Sequence, residues 1–122
     1  MHLENLAIAD IYYTAMGGKD LSHVKQYLHE NVHFIGPLAE MRGRKAYLNA
    51  AENFMSVFTS LKVRAKFASD DQVVLIYDVE FPNPIGKFRT AGLLTFQEGL
   101  IIKVELFYDA RPLEQKKEDI FS

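Results

Sequence analysis

His29-Glu30-Asn31-Val32-His33 spells H-E-x-x-H. On a helix that spacing puts two imidazoles on one face to hold zinc, with the glutamate as base. The surrounding residues argue against the helix. Asn31 disfavours it, Val32-His33-Phe34-Ile35 favours a strand, and Gly36-Pro37 follows at once. In a strand the two imidazoles do not form a helical pair, so no metal and no cofactor is expected. His33 falls on the outer side of that strand if Val32 and Phe34 face in, where a solvated or structural histidine is a simpler reading than a base. Asp109 ends the last strand, to cap the turn into Arg111-Pro112 or to pair with Lys87. Glu40 and Arg42 lie on a polar loop, solvated or clamping a carboxylate, and one of Asn49, Glu52 and Asn53 is expected to point inward. Four tyrosines, Tyr12, Tyr47, Tyr77 and Tyr108, are expected on inward faces. Their hydroxyls either find partners at the rim of a core or orient a ligand oxygen in an apolar pocket.

These residues must be positioned by helices and strands that the pattern makes plain. Residues from about 4 to 16 read as a helix with Ile8, Ile11, Tyr12 and Ala15 on one stripe, stopped by Gly17-Gly18. Asp20 caps a second helix to about 28. A short strand spans 31 to 36, a loop follows to about 42, and a third helix runs from about 44 to 58. Charges then sort by parity: Lys62, Arg64, Lys66; Asp78, Glu80; Lys87, Arg89; Lys103, Glu105. Period two is the strand signature, so four strands follow, with one wet face and one apolar face. Their apolar parity includes Phe67, Leu75, Leu94, Phe96 and Tyr108. Charge matching sets Glu80 opposite Lys87, Asp78 opposite Arg89, Ile76 opposite Ala91 and Val74 opposite Leu93. It also sets Lys62 beside Glu80 and Arg64 beside Asp78. Val74, Ile76, Ala91, Leu93, Ile101 and Phe107 share the charged parity and yet are apolar, which points to a homodimer through the outer sheet face or to cover by the tail.

With 122 residues, 48% apolar, the chain suffices for one domain, 1–122, with a charged and frayed tail at 114–122. A net charge of -2 argues against a nucleic-acid footprint. The absence of cysteine excludes disulfides and thiol chemistry. No apolar run is long enough for a membrane span, and the first residues do not read as a signal peptide. A cytoplasmic location is the expectation.

The words HENVHFIGP, RGRKAYLNA and LTFQEGLIIKVELFYDARPL stand in an order and spacing that resemble the nuclear transport factor 2-like superfamily, in particular its SnoaL-like branch. The resemblance covers nearly the whole chain. It implies an α+β, cone-shaped, cystatin-like fold of order α-α-β-α-β-β-β-β. A curved antiparallel sheet would wrap the helices and leave a pocket at its wide end. Members are often dimers through the convex face, and some are ketosteroid isomerases, polyketide cyclases, epoxide hydrolases or dehydratases. Isomerase chemistry of this type needs a carboxylate base with an oxyanion hole of a tyrosine and a protonated aspartic acid. By its spacing to Gly17-Gly18-Lys19-Asp20, Tyr12 stands where the tyrosine would be. Phe34 and Ile35 stand near the base, and Gly92 near the aspartic acid. Ile35 also takes the polar position of the cyclases. Asp78, Arg89 and Glu105 look like the epoxide hydrolase cluster but lie on the outer parity. Asp109 recurs in the SnoaL-like pattern.

Tyr12, His33 and Asp109 are therefore the catalytic candidates. The expected pocket lining is Tyr12, Phe34, Tyr47, Phe54 and Tyr77, with Thr90, Leu94, Leu106 and Tyr108. Two functions stay open. One is a SnoaL-like protein binding a small apolar ligand, with isomerase, cyclase or lyase activity as its enzymatic form. The other is a non-enzymatic dimeric module with a vestigial pocket.

Overall fold

The computed structural model describes residues 2–116, and side chains from 4 to 113. Of the tail expected to fray, 117–122 lie outside the described residues. The first helix, α1, spans His2–Gly17. Its buried stripe is Asn5, Ala9, Tyr12, Tyr13 and Met16, with Ala15 beside it. Ile11, expected inward, is 43% exposed. Several stripes compete on a helix this apolar, and packing against the sheet selects the one carrying both tyrosines. Gly17-Gly18 ends the helix, but the left-handed residue is Lys19, with φ 60. Its Nζ donates to Phe58 O at 2.7 Å and sits over the Phe58 ring, which holds a conformation that favours glycine. Asp20 caps α2, Leu21–Gln26, by accepting from the His23 N–H.

That helix is shorter than expected because Leu28 already belongs to a strand. β1 is Leu28–Ile35, with Leu28, Val32 and Phe34 buried. The H-E-x-x-H residues are thus extended, and His29 Nδ1 accepts from the Asn31 N–H at 2.9 Å. The expected loop to Arg42 contains a further strand, β2, Glu40–Arg42. Gly36 N–H donates to Ala39 O at 2.8 Å, folding β2 back antiparallel on β1. Helix α3, Arg44–Met55, starts after Gly43 at φ 95, where glycine alone is at ease. It buries Tyr47, Ala50, Ala51 and Met55.

Strands β3 (Ser60–Ser69), β4 (Gln72–Phe81), β5 (Gly86–Gln97) and β6 (Leu100–Phe107) complete a curved sheet of order β2-β1-β6-β5-β4-β3. β1 lies parallel to β6 and the other pairs are antiparallel. The β4–β5 register is the one that charge matching set: Glu80↔Lys87, Asp78↔Arg89, Ile76↔Ala91 and Val74↔Leu93. The β3–β4 register is not. Lys62 faces Asp78, Ser60 faces Glu80, and Arg64 is the extra residue of a bulge between Val63 and Ala65. A bulge reverses parity beyond it. Lys66 therefore pairs with Leu75 on the helix side, where it bonds Asp10, and Phe67 pairs with Val74 outside, 64% exposed. A second bulge does the same on β6: Thr95 faces Lys103 but Phe96 faces Ile101. Ile101, expected in the outer patch, is fully buried. A 3-10 helix, Arg111–Lys116, follows β6. No helix among the described residues is long and apolar enough to cross a membrane.

Candidate functional site

The concave side of the sheet and the helices line a partly open cavity of about 70 Å³. α1 contributes Tyr13 and Met16, and α3 contributes Tyr47, Ala50, Ala51 and Phe54. The sheet contributes Phe34 from β1, Leu61 from β3, Tyr77, Val79 and Phe81 from β4, Phe88 and Thr90 from β5, and Leu106 from β6. Tyr108, just past β6, and Leu113 complete the wall. An aromatic chain runs along one side. Phe54 and Phe81 centroids lie 6.1 Å apart, Phe81 and Phe88 5.5 Å, and Phe88 and Tyr108 6.2 Å, all edge to face.

The polar atoms of the lining side chains are all hydroxyls: Tyr13, Tyr47, Tyr77, Thr90 and Tyr108. No described lining residue carries a carboxylate, imidazole, amine or guanidinium. The phenols lie in pairs. Tyr12 and Tyr47 hydroxyls are hydrogen-bonded to each other, and the Tyr13 and Tyr77 rings pack with centroids 4.8 Å apart. Burial holds them protonated. It pushes Tyr47 up to about 12, against a smaller opposing effect of the Tyr12 bond. It raises Tyr12 and Tyr13 well above the ordinary phenol range, reinforced by neighbouring phenols, and raises Tyr77 as well. Tyr108, partly buried, is pushed up to about 12 by desolvation alone. Such groups donate hydrogen bonds at neutral pH and do not act as bases.

Gly92 explains how Tyr13 fits. A Cβ there would lie 2.5 Å from the Tyr13 hydroxyl and 3.4 Å from both Leu106 and Tyr77. The Tyr13 phenol thus occupies space that a β5 side chain would otherwise fill, at the position where the family resemblance would put an aspartic acid.

Of the residues expected at a pocket, Phe34, Tyr47, Phe54, Tyr77, Thr90, Leu106 and Tyr108 come together in this wall. Two stand apart. Tyr12 is fully buried behind Tyr47, and Leu94 is fully buried deeper in the core, paired with Val73 and Val104. Two of the catalytic candidates are also remote. His33 faces the convex side, its Nε2 2.6 Å from Glu40 Oε2. Glu40 and Arg42, expected on a polar loop, belong to β2 and pair opposite Ile35 and His33 on that same outer side. Asp109 is exposed and binds Arg111 rather than Lys87. Arg111 N, Nε and Nη2 all donate to it, the last at 2.6 Å, which holds the carboxyl down at about 2. Asn49 and Glu52 are exposed and outside the wall. Asp78, Arg89 and Glu105 lie on the convex side, where Asp78 accepts from Arg64 at 3.4 Å.

The expected lining named neither Tyr13 nor Leu113, nor Met16, Ala50, Ala51, Leu61, Val79, Phe81 and Phe88. Tyr13 falls i+4 from Ala9 and i−3 from Met16, a stripe as regular as the one through Ile8. Leu113 is one leucine among charges and carries no periodicity.

A family model described as SnoaL-like domain matches residues 9–104. No curated protein matches the chain. Among solved structures, an NTF2-like protein of unknown function from Cytophaga hutchinsonii is 26% identical, with TM-score 0.78 over 87% of this chain and 90% of that one. A steroid delta-isomerase from Pseudomonas aeruginosa superposes with TM-score 0.80 over 96% of this chain and 88% of that one, at 19% identity. A de novo designed protein with a curved β-sheet reaches TM-score 0.85 over 98% and 96%, at 13% identity. The last two likenesses are of fold.

Proposed function

The chain belongs to the SnoaL-like domain family, and from that premise we propose that it binds a small, neutral, mostly apolar molecule bearing a hydrogen-bond-acceptor oxygen. The observation that carries this reading is a wall whose side-chain polar atoms are all protonated hydroxyls. The Tyr12–Tyr47 pair spends one of its two O–H groups on its internal bond and keeps one donor, and Tyr13 and Tyr77 each carry an O–H. Tyr108 and Thr90 add their own. A ketone, ester or ether oxygen satisfies such donors. A carboxylate ligand would be desolvated with no cation in the described wall to offset a cost of several kcal/mol. The steroid delta-isomerase likeness shows that this fold can serve a protein named for a small-molecule reaction. A four-ring steroid is far larger than about 70 Å³, however. Even a benzene-binding cavity is roughly 150 Å³.

No reaction is assigned. Tyr12 has the position of an isomerase tyrosine but reaches the cavity only through Tyr47, and no general base lines the described wall.

The test is a calorimetric titration with a small cyclic ketone, its hydrocarbon counterpart and the matching carboxylate. The ketone binds more tightly than both, and Tyr47→Phe or Tyr77→Phe narrows its margin over the hydrocarbon. Equal affinity for ketone and hydrocarbon, or preference for the carboxylate, refutes the reading.

A second observation favours association of the chain with itself. On the convex face Phe67 and Phe107 are 64% and 56% exposed beside half-buried Val74, Ile76, Ala91 and Leu93. An apolar patch of this kind suits an isologous two-fold interface. We propose a homodimer through it, which is also the surface the non-enzymatic module would use. Sedimentation equilibrium checks the stoichiometry, and a monomer across the micromolar range rules the dimer out.

A further inference from the structure

Most of the cavity wall belongs to helices and strands. Its sheet residues sit in hydrogen-bonded ladders, and Tyr13, Met16 and Tyr47 sit on packed helices. Leu113 differs. It comes from the short 3-10 helix and is 3% exposed, while Arg111 and Pro112 before it stand in solvent. The described bonds of this segment are local. Leu113 N–H donates to Ala110 O at 2.9 Å, and Arg111 clasps Asp109. Among the described residues, the segment is docked on the body by one leucine in the cavity.

We propose that residues 110–116 form a strap over the cavity and that Leu113 is the plug that sets the size of ligand admitted. This rests on the ligand-binding reading and deepens it. At about 70 Å³ the cavity is far below the roughly 300–1,000 Å³ of ordinary ligand pockets. A ligand of more than a few heavy atoms is therefore held wholly inside only if part of the wall moves. Moving a strand breaks ladder bonds on one or both sides. Tilting α1 or α3 unpacks fully buried side chains such as Tyr12. Lifting Leu113 exposes one leucine and breaks none of the described sheet or helix bonds. A bound molecule that fills its place restores the lost contact, so the strap is the wall segment that moves at least cost. The Asp109–Arg111 clasp lies outside the cavity and fixes the chain direction at the exit from β6, leaving the strap to pivot beyond it.

Two measurements on the full chain test this. The first is amide exchange, which needs no ligand. The Leu113 N–H exchanges through local opening, far faster than the ladder amides of β5. Equal protection at Leu113 and β5 overturns the strap. The second is affinity for a homologous series of straight-chain methyl ketones, in the wild type and in Leu113→Ala. The variant extends the longest ketone bound and raises affinity for long members by about tenfold or more. An unchanged length limit overturns the plug. Should no ketone bind either protein, the acceptor-ligand reading fails by itself. Arenes of increasing size, which need no donor, then report the limit, and the same limit in both proteins, or no arene binding to either, overturns the plug. Asp109→Asn leaves Leu113 in place and is expected to speed Leu113 exchange with the size limit unchanged. A shift of the limit in that variant would assign selection to the clasp and overturn the role of Leu113.

Discussion

The concave and convex faces of this sheet are built from the same strands and handle polarity in opposite ways. Along β5, Thr90, Gly92, Leu94 and Phe96 turn to the helices, while Arg89, Ala91, Leu93 and Thr95 turn outward. The concave face has few polar side-chain atoms, and those in the cavity wall are hydroxyls, all buried but the half-buried Tyr108, where low dielectric strengthens each bond. The convex face carries full charges in water, such as Arg64–Asp78 at 3.4 Å and Lys103–Glu105 at 3.8 Å. Pairs of that kind are worth about 0–1 kcal/mol each. The proposed recognition by hydrogen bonding therefore suits the concave face, and the proposed self-association suits the apolar side chains of the convex face.

Two adjacent leucines test that contrast most sharply. Leu94 is fully buried and Leu93 is half-buried on the convex side. Leu94→Ala is expected to cost about 2–5 kcal/mol, as truncation in a closed core does. Leu93→Ala costs the monomer about 1 kcal/mol or less. Urea denaturation of both at dilute concentration decides it, and equal losses would mean that the convex face is as closed as the core.

Alkali acts next, and on the concave face. Burial raises Tyr47 to about 12, and an unfolded chain has its phenol near 10. Between those values the folded state binds more protons, so stability is full below about 10 and falls as pH rises towards about 12. Tyr47 alone accounts for about 2–3 kcal/mol of this, and Tyr12, Tyr13 and Tyr77 shift in the same direction. Denaturation midpoints across that range should drop steeply, and less so in Tyr47→Phe. A flat profile would mean that the phenols are hydrated.

Gly92→Ala is a smaller perturbation of the same wall. Its methyl would meet the Tyr13 hydroxyl, the end of a rigid ring that is only 3% exposed. The ring has little room to yield, and overpacking costs about 1–3 kcal/mol. Tyr13→Phe removes the clashing oxygen, so the double variant recovers part of the loss. Additive losses would show that Leu106 or Tyr77, not Tyr13, resists the methyl.

These two faces were not equally readable from residues. The β4–β5 register followed from unbroken alternation and two opposite-charge pairs, Glu80 with Lys87 and Asp78 with Arg89. The faces beyond Arg64 and at Ile101 did not, because a bulge adds one residue without any marker in composition. Parity counted from Lys62 then put Phe67 inside and Lys66 outside, the reverse of the structure. The part of the cavity lining that was named, such as Tyr77, Thr90 and Leu106, was legible because inward parity on a strand leaves few choices. Tyr13 was not, since a helix with apolar residues on several sides does not declare its buried stripe. Leu113 owes its burial to tertiary contact alone.

The smallest effect on stability bears on the convex face. Phe107 is 56% exposed and pairs opposite Ala91. Phe107→Lys keeps a long side chain at the end of a strand and should change monomer stability by about 0.5 kcal/mol or less. In a two-fold interface the same substitution would bring two ammonium groups together in a desolvated patch, a like-charge contact that costs several kcal/mol. Its effect thus depends on concentration: none on unfolding when dilute, dissociation when concentrated. Sedimentation equilibrium of wild type and variant separates the outcomes. A variant that associates as well as the wild type removes Phe107 from the interface, and the exposed phenylalanines would then be ordinary surface apolar area.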